Sequence, residues 1–208
     1  MSSSPCFLDP VIIPLIRGES VLDVGCGYGK WAHLIQTNFW EAGLSKPPII
    51  DGFDAFEPNI ELCSKSNCYR KTWIQKMPSA ISGEWDTVLA CEFIEHINQN
   101  CVDEVVNILE SVTKKRIIIS TPNWPYFREG GDTKVGFNDF EAHLSFIPRK
   151  YFTDRGYKVF GAGFRNPLNY FHRVMNKLNI SLEFFLESIP RRLPSIASLI
   201  VAYKDMED

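Results

Sequence analysis

Residues 21–35 read VLDVGCGYGKWAHLI, and the order of elements inside this stretch decides the fold. Val21-Leu22-Asp23-Val24 is a short apolar run of the kind a buried parallel strand uses. It enters Gly25-Cys26-Gly27-Tyr28-Gly29, after which Trp31, Leu34, Ile35 and Phe39 recur at helical spacing. Strand, glycine turn and helix in that order bring backbone close to a ligand at the carboxyl edge of a sheet. A dinucleotide turn is spaced G-x-G-x-x-G/A, whereas here the third glycine comes one residue early and Lys30 stands sixth. Asp23 at the tip of the strand would face an ammonium group well and a pyrophosphate badly. The turn therefore suits a cationic nucleoside, although an ordinary glycine turn of another α/β protein shares the pattern. The rest of the chain has to decide.

The stretch VLDVGCGYG resembles the first motif of the class I S-adenosylmethionine (SAM)-dependent methyltransferases. The resemblance implies an α/β fold, a doubly wound, mostly parallel seven-stranded sheet, to which this chain's own residues add a helical insertion between the last two strands. It implies one domain over 1–208, with a short N-terminal cap at 1–20 and an insertion or lid at 161–196. In that family the glycine turn passes under the methionine part of SAM and the acid at its head holds the amino group, directly or through water. The cofactor residues so implied are Asp23, Gly25, Cys26, Gly27, Gly29, Asp54, Ala55, Ile74 and Cys91.

Asp54 ends the apolar run Ile49-Ile50-Asp51-Gly52-Phe53, where one carboxylate can accept from both hydroxyls of a ribose. Asp51 comes too early for that task, and Glu57 belongs to the cap of the next helix. Tyr69 to Ile74 reads as a third strand, but the carboxylate that many relatives carry near the adenine amino group is missing from Trp73-Ile74-Gln75-Lys76-Met77-Pro78. Adenine contacts then fall to backbone around Ile74 and Gln75 or to stacking on Trp73, which is equally well read as a core residue. The fourth strand is Trp85 to Ala90, and Asn100 is read as the cap of a helix carrying Val102, Val105, Val106, Leu109 and Val112 on one face. Lys114-Lys115-Arg116 reads as its basic last turn, and Ile117 to Thr121 as the fifth strand.

Residues 122–146 carry no helical or strand period, and a loop of that length is usually functional. Its aromatics Trp124, Tyr126, Phe127, Phe137 and Phe140 suit a substrate wall. Pro148 opens a helix that stops at Gly156; Tyr157 to Phe160 and Ala197 to Tyr203 are the last two strands. Between them, apolar positions at helical spacing predict one or two amphipathic helices, and 161–195 holds five basic and two acidic side chains. A lid, a membrane contact or a homodimer face through 165–195 would each fit, as would a plain solvated face.

With 208 residues one domain is the natural count, and a net charge of -3 argues against a nucleic-acid partner. Six cysteines without a C-x-x-C pair fit a reduced, cytoplasmic chain, and no apolar run is long enough for a transmembrane segment.

Past the fourth strand lies Cys91-Glu92-Phe93-Ile94-Glu95-His96, and His143 sits late in the long loop. Both regions lie above the carboxyl edge of such a sheet. In one reading His96 or His143 is a general base on an acceptor hydroxyl, with Glu92 beside it. In the other, Glu92, Glu95, His96 and His143 hold Mg²⁺ or Mn²⁺. The E-x-x-E-H pattern resembles the ubiquinone-biosynthesis O-methyltransferases and, through the metal set, the small-RNA 3′-terminal 2′-O-methyltransferases. Glu95 and His96 could also serve only to cap and tether the next helix. The resemblance implies O-methylation of a small molecule or of a glycan- or lipid-linked precursor by direct in-line transfer. The alternatives are metal-assisted RNA 2′-O-methylation and a non-catalytic SAM-binding partner subunit.

Overall fold

The computed structural model describes residues 4–41, 46–164 and 189–206. Its centre is a seven-stranded sheet in the order β3-β2-β1-β4-β5-β9-β8. The strands are β1 (Ser20–Val24), β2 (Ile49–Asp54), β3 (Lys71–Ile74), β4 (Trp85–Cys91), β5 (Thr113–Pro122), β8 (Lys158–Phe164) and β9 (Ala197–Asp205). The first five run parallel, and β9 lies antiparallel between β5 and β8. A small hairpin, β6 (Gly131–Thr133) with β7 (Gly136–Asn138), stands apart from this sheet.

Both faces of the sheet are covered, which is why the strands are almost continuously apolar. Leu22, Val88, Ile117 and Ile119 face one cluster, which α4 (Val102–Ser111) and α5 (Arg149–Asp154) complete with Val105, Leu109 and Phe152. Their neighbours Val21, Leu89 and Ile118 face the other, against Trp31 and Ile35 of α2 (Lys30–Glu41) and Leu8 and Ile12 near the N-terminus. Adjacent residues thus go to opposite faces, as the period of two requires. Phe53 of β2 is wholly buried, with Trp73 5.5 Å away and Phe93 meeting it edge-on at 6.5 Å. Phe53→Ala should cost about 3–5 kcal/mol of unfolding free energy by urea titration; a loss below about 1 kcal/mol would contradict this packing.

Several elements depart from the sequence reading. Lys114-Lys115-Arg116 are not a helical turn: β5 already starts at Thr113, pairing with Trp85, and Arg116 lies opposite Asp205. A helix-dipole preference is worth tenths of a kcal/mol, and two sheet ladders outweigh it. The capping asparagine is Asn98, whose side chain accepts from the amide of Asn100 before α4. The stretch from Leu8 to Ile16 is broken around its prolines into short turns flanking α1 (Asp9–Ile12). Residues 122–146 hold the β6–β7 hairpin and a bridge between Arg128 and His143, so they are a folded excursion. Strand β8 runs on to Phe164. The predicted helices and dimer face at 165–188 lie outside the described residues, and no helix among the described ones could cross a membrane.

Candidate active site

Strands β1 and β4 are neighbours whose onward connections go to opposite sides, so their carboxyl ends open a crevice at the topological switch point. A cavity occupies it, walled by Gly25, Cys26 and Gly27 after β1, Asp54, Ala55 and Asn59 after β2, and Cys91, Glu92, Phe93 and His96 after β4. Gly25 and Gly27 have φ of 66° and 53°, conformations that side chains resist. A Cβ on Gly25 would also come within 2.6 Å of the Phe93 ring. Asp54 ties the turn to β2. Its Oδ2 accepts from the Gly27 amide at 2.9 Å and from Asn59 Nδ2 at 3.2 Å, and its Oδ1 accepts from the Phe56 amide at 2.8 Å. Burial pushes this carboxyl above its ordinary range, against the pull of those donors.

Asp51 is spent elsewhere, accepting from Arg70 and from Trp85 Nε1. Asp23 and Gly29 do not line the cavity. Asp23 is buried and accepts the Tyr69 hydroxyl at 2.7 Å, so it has no direct face toward a ligand. Ile74 is half exposed and also no wall, whereas Gln75, Lys76 and Met77 are. Trp73 packs into the core beside Trp85 and gives its indole proton to Gln75. Of the loop aromatics only Phe140 reaches the cavity; Tyr126, Phe127 and Phe137 are exposed.

Beyond Cys91 the four predicted acid–base residues separate. Glu92 takes φ 52° and accepts the Ser120 hydroxyl at 2.9 Å, which turns it toward β5. Burial raises its carboxyl to about 7. Glu95, His96 and His143 converge, with one ligating atom from each within 4.8 Å of the others. Glu95 Oε2 accepts from Thr121, while its buried Oε1 has no hydrogen-bond partner. Burial, with Glu92 nearby, drives the Glu95 carboxyl well above its ordinary range. His96 Nδ1 lies 2.9 Å from the Ala142 carbonyl. A carbonyl only accepts, so this nitrogen carries the proton and Nε2 keeps its lone pair. His143 Nδ1 is buried without a hydrogen-bond partner, and its ring stands edge-on to His96 at 4.9 Å. Burial pushes His96 down, and burial plus the neighbouring His96 pushes His143 down to about 4. Both shifts favour the neutral imidazole.

The model of a family described as a methyltransferase domain matches residues 8–159. The chain belongs to that family. No curated protein matches it significantly. Among solved structures, a SAM-dependent methyltransferase from Archaeoglobus fulgidus is 18% identical, with 95% of this chain and 90% of that one covered at TM-score 0.56. Magnesium protoporphyrin IX methyltransferase from Synechocystis PCC 6803, crystallised with the demethylated product SAH, is 15% identical at TM-score 0.55, covering 96% and 82%. A chain of the Pnkp1/Rnl/Hen1 RNA repair complex is 14% identical at TM-score 0.58, covering 96% of this chain and 41% of that one. These likenesses carry the class I fold, and the family makes this protein a methyltransferase.

The cavity of the methyltransferase also has walls that its sequence did not single out. Ser4, Lys30, Trp31, Asn59, Asn138 and Glu141 all line the cavity. Ser4 arrives from the N-terminal segment, and no local motif marks it. Asp23 makes the ligand-free methyltransferase sensitive to pH. Burial raises its carboxyl from 3.8 to about 7, Tyr69 opposing and Asp54 adding to the rise. The folded state then binds this proton more tightly than the unfolded chain, so stability falls as pH rises from 3.8 toward 7. Asp23→Asn should raise Tm relative to wild type at pH 8 and lose that advantage near pH 4. An equal offset at both pH values would contradict it.

Proposed function

We propose that this methyltransferase methylates an oxygen of a small-molecule or glycan- or lipid-linked acceptor, with His96 as the group that meets the acceptor hydroxyl. The observation that carries the reading is His96 itself: it walls the cavity, with Nδ1 committed to Ala142 and Nε2 left with its lone pair. SAM supplies an electrophilic methyl group on a sulfonium sulfur. The Gly25–Gly27 turn would run along its methionine part and Asp54 would accept from its ribose. Gly25 and Gly27, with positive φ and no side chain, put bare backbone on the cavity wall, which fits close approach of a ligand. Asp23 would act on the amino group only through an intermediary such as water. SAM would supply the methyl group, and His96 Nε2, with its lone pair free, would take the proton of the acceptor hydroxyl. In-line transfer gains mostly from positioning and less from the base.

A second reading rests on a different observation, the unpartnered Glu95 Oε1 and His143 Nδ1 beside His96. Glu95, His96 and His143 fit a divalent cation, with Thr121 and the Ala142 carbonyl orienting two of the ligands. Two imidazoles and one carboxylate favour Mn²⁺ over Mg²⁺. The metal would polarise the acceptor hydroxyl; Glu92, held by Ser120, stands outside this set. Turnover measured with a panel of hydroxylated acceptors, before and after exhaustive chelation, separates the readings. Unchanged turnover supports His96 as base, and loss restored by Mn²⁺ supports the metal.

A further inference from the structure

Lys30 stands at the first position of α2, where the positive end of the helix dipole disfavours a cation. It is nevertheless largely buried and reaches into the cavity wall. Its Nζ donates to the carbonyls of Ser4 at 2.7 Å and Pro5 at 3.2 Å, and lies 2.6 Å from Asp9 Oδ1. Asp9 Oδ1 has no aligned hydrogen bond, so this last contact is an ion pair only. Trp31 Nε1 adds a 3.2 Å bond to Ser4 Oγ. Lys30 therefore clamps the N-terminal segment against the cavity with two of its three protons.

The cavity wall holds three carboxylates, from Asp54, Glu92 and Glu141, and two lysines, Lys30 and Lys76. Lys76 follows β3 and lies over the Phe140 ring at 4.5 Å. The sheet order runs β3-β2-β1-β4, which puts Lys76 on one side of Asp54 and Lys30 on the other, with the glycine turn. With the ribose on Asp54, the amino-acid end of the cofactor falls on the Lys30 side. That end bears a carboxylate, which a cavity lined by three acids would repel unless a cation met it. We infer that Lys30 is the counter-ion of the cofactor's α-carboxylate, so that one side chain joins that carboxylate to the Ser4–Pro5 strap.

This inference rests on the SAM reading of the cavity, and its test separates the two. Calorimetry on the full chain would use SAH and its decarboxylated analogue, which lacks only the α-carboxylate. Wild type should bind SAH about tenfold or more tightly than the analogue, as a charge-assisted contact implies. In Lys30→Met the analogue should bind as it does to wild type, and the preference for SAH should collapse to near unity. Asp9→Asn removes the competing carboxylate and should keep or widen the preference; it also serves should Lys30→Met fail to fold. Equal weakening of both ligands in Lys30→Met would make Lys30 merely a fastener of the strap and overturn the inference. So would a retained preference in Lys30→Met, or a narrowed one in Asp9→Asn. Failure of wild type to bind either ligand would instead strike the SAM reading beneath it.

Discussion

His96→Ala is expected to lower kcat by about 10²–10⁴-fold, the usual contribution of a positioned base, while leaving SAH affinity close to wild type. The separation follows from position. His96 sits past the end of β4, in the turn Ile94–His96, whereas Asp54 and the glycine turn belong to β2 and β1. Its Nδ1 bond to Ala142 also links it to the loop that carries His143. His96→Gln is the informative companion, since an amide can keep a hydrogen bond to that carbonyl but cannot take the acceptor's proton. If Gln restored turnover, His96 would be a tether for the loop and the proposed base would be lost.

The second large effect belongs to Asp54→Asn, which should weaken SAH binding by about 10²-fold, as loss of two hydrogen bonds to a charged acceptor implies. The substitution also disturbs the empty protein. Both carboxylate oxygens accept from donors, Oδ2 from Gly27 and Asn59 and Oδ1 from Phe56. Whichever way the amide is turned, its NH₂ meets a donor it cannot satisfy. A cost of about 1–3 kcal/mol follows, or a fall in Tm of about 2–10 °C for a chain of this size. Calorimetry for affinity and a thermal melt for Tm check the two halves separately. Wild-type affinity in Asp54→Asn would remove the ribose from this position.

What could be read from the sequence was whatever a single element carries by itself. The β1 turn announces itself because strand, glycines and helical spacing occupy fifteen consecutive residues, Val21 to Ile35. The place of Asp54 on the cavity wall was legible because it ends an apolar run at the carboxyl edge of the sheet. Contacts between distant segments were not. Lys30 was noted only for standing sixth in the glycine turn, and its partners Ser4, Pro5 and Asp9 lie more than 20 residues upstream. The carboxyl edge correctly gathered Glu95, His96 and His143, but Glu92 was grouped with them because nothing local signals its φ of 52°. That single backbone turn sends its carboxylate to Ser120 instead. Asp23 was expected to hold the amino group directly or through water; it accepts instead from the hydroxyl of Tyr69, 46 residues away, and stands behind the cavity wall.

The cradle formed by Gly25, Gly27 and Asp54 is tested most directly by a thermal melt of the ligand-free protein with and without SAH. At a hundredfold excess over Kd, a ligand that binds only the folded state adds about 2.7 kcal/mol. For a chain of this length that is a rise in Tm of about 5–10 °C, and it should shrink sharply in Asp54→Asn. No rise with SAH at millimolar concentration, together with a clear rise with NADH, would contradict the cradle.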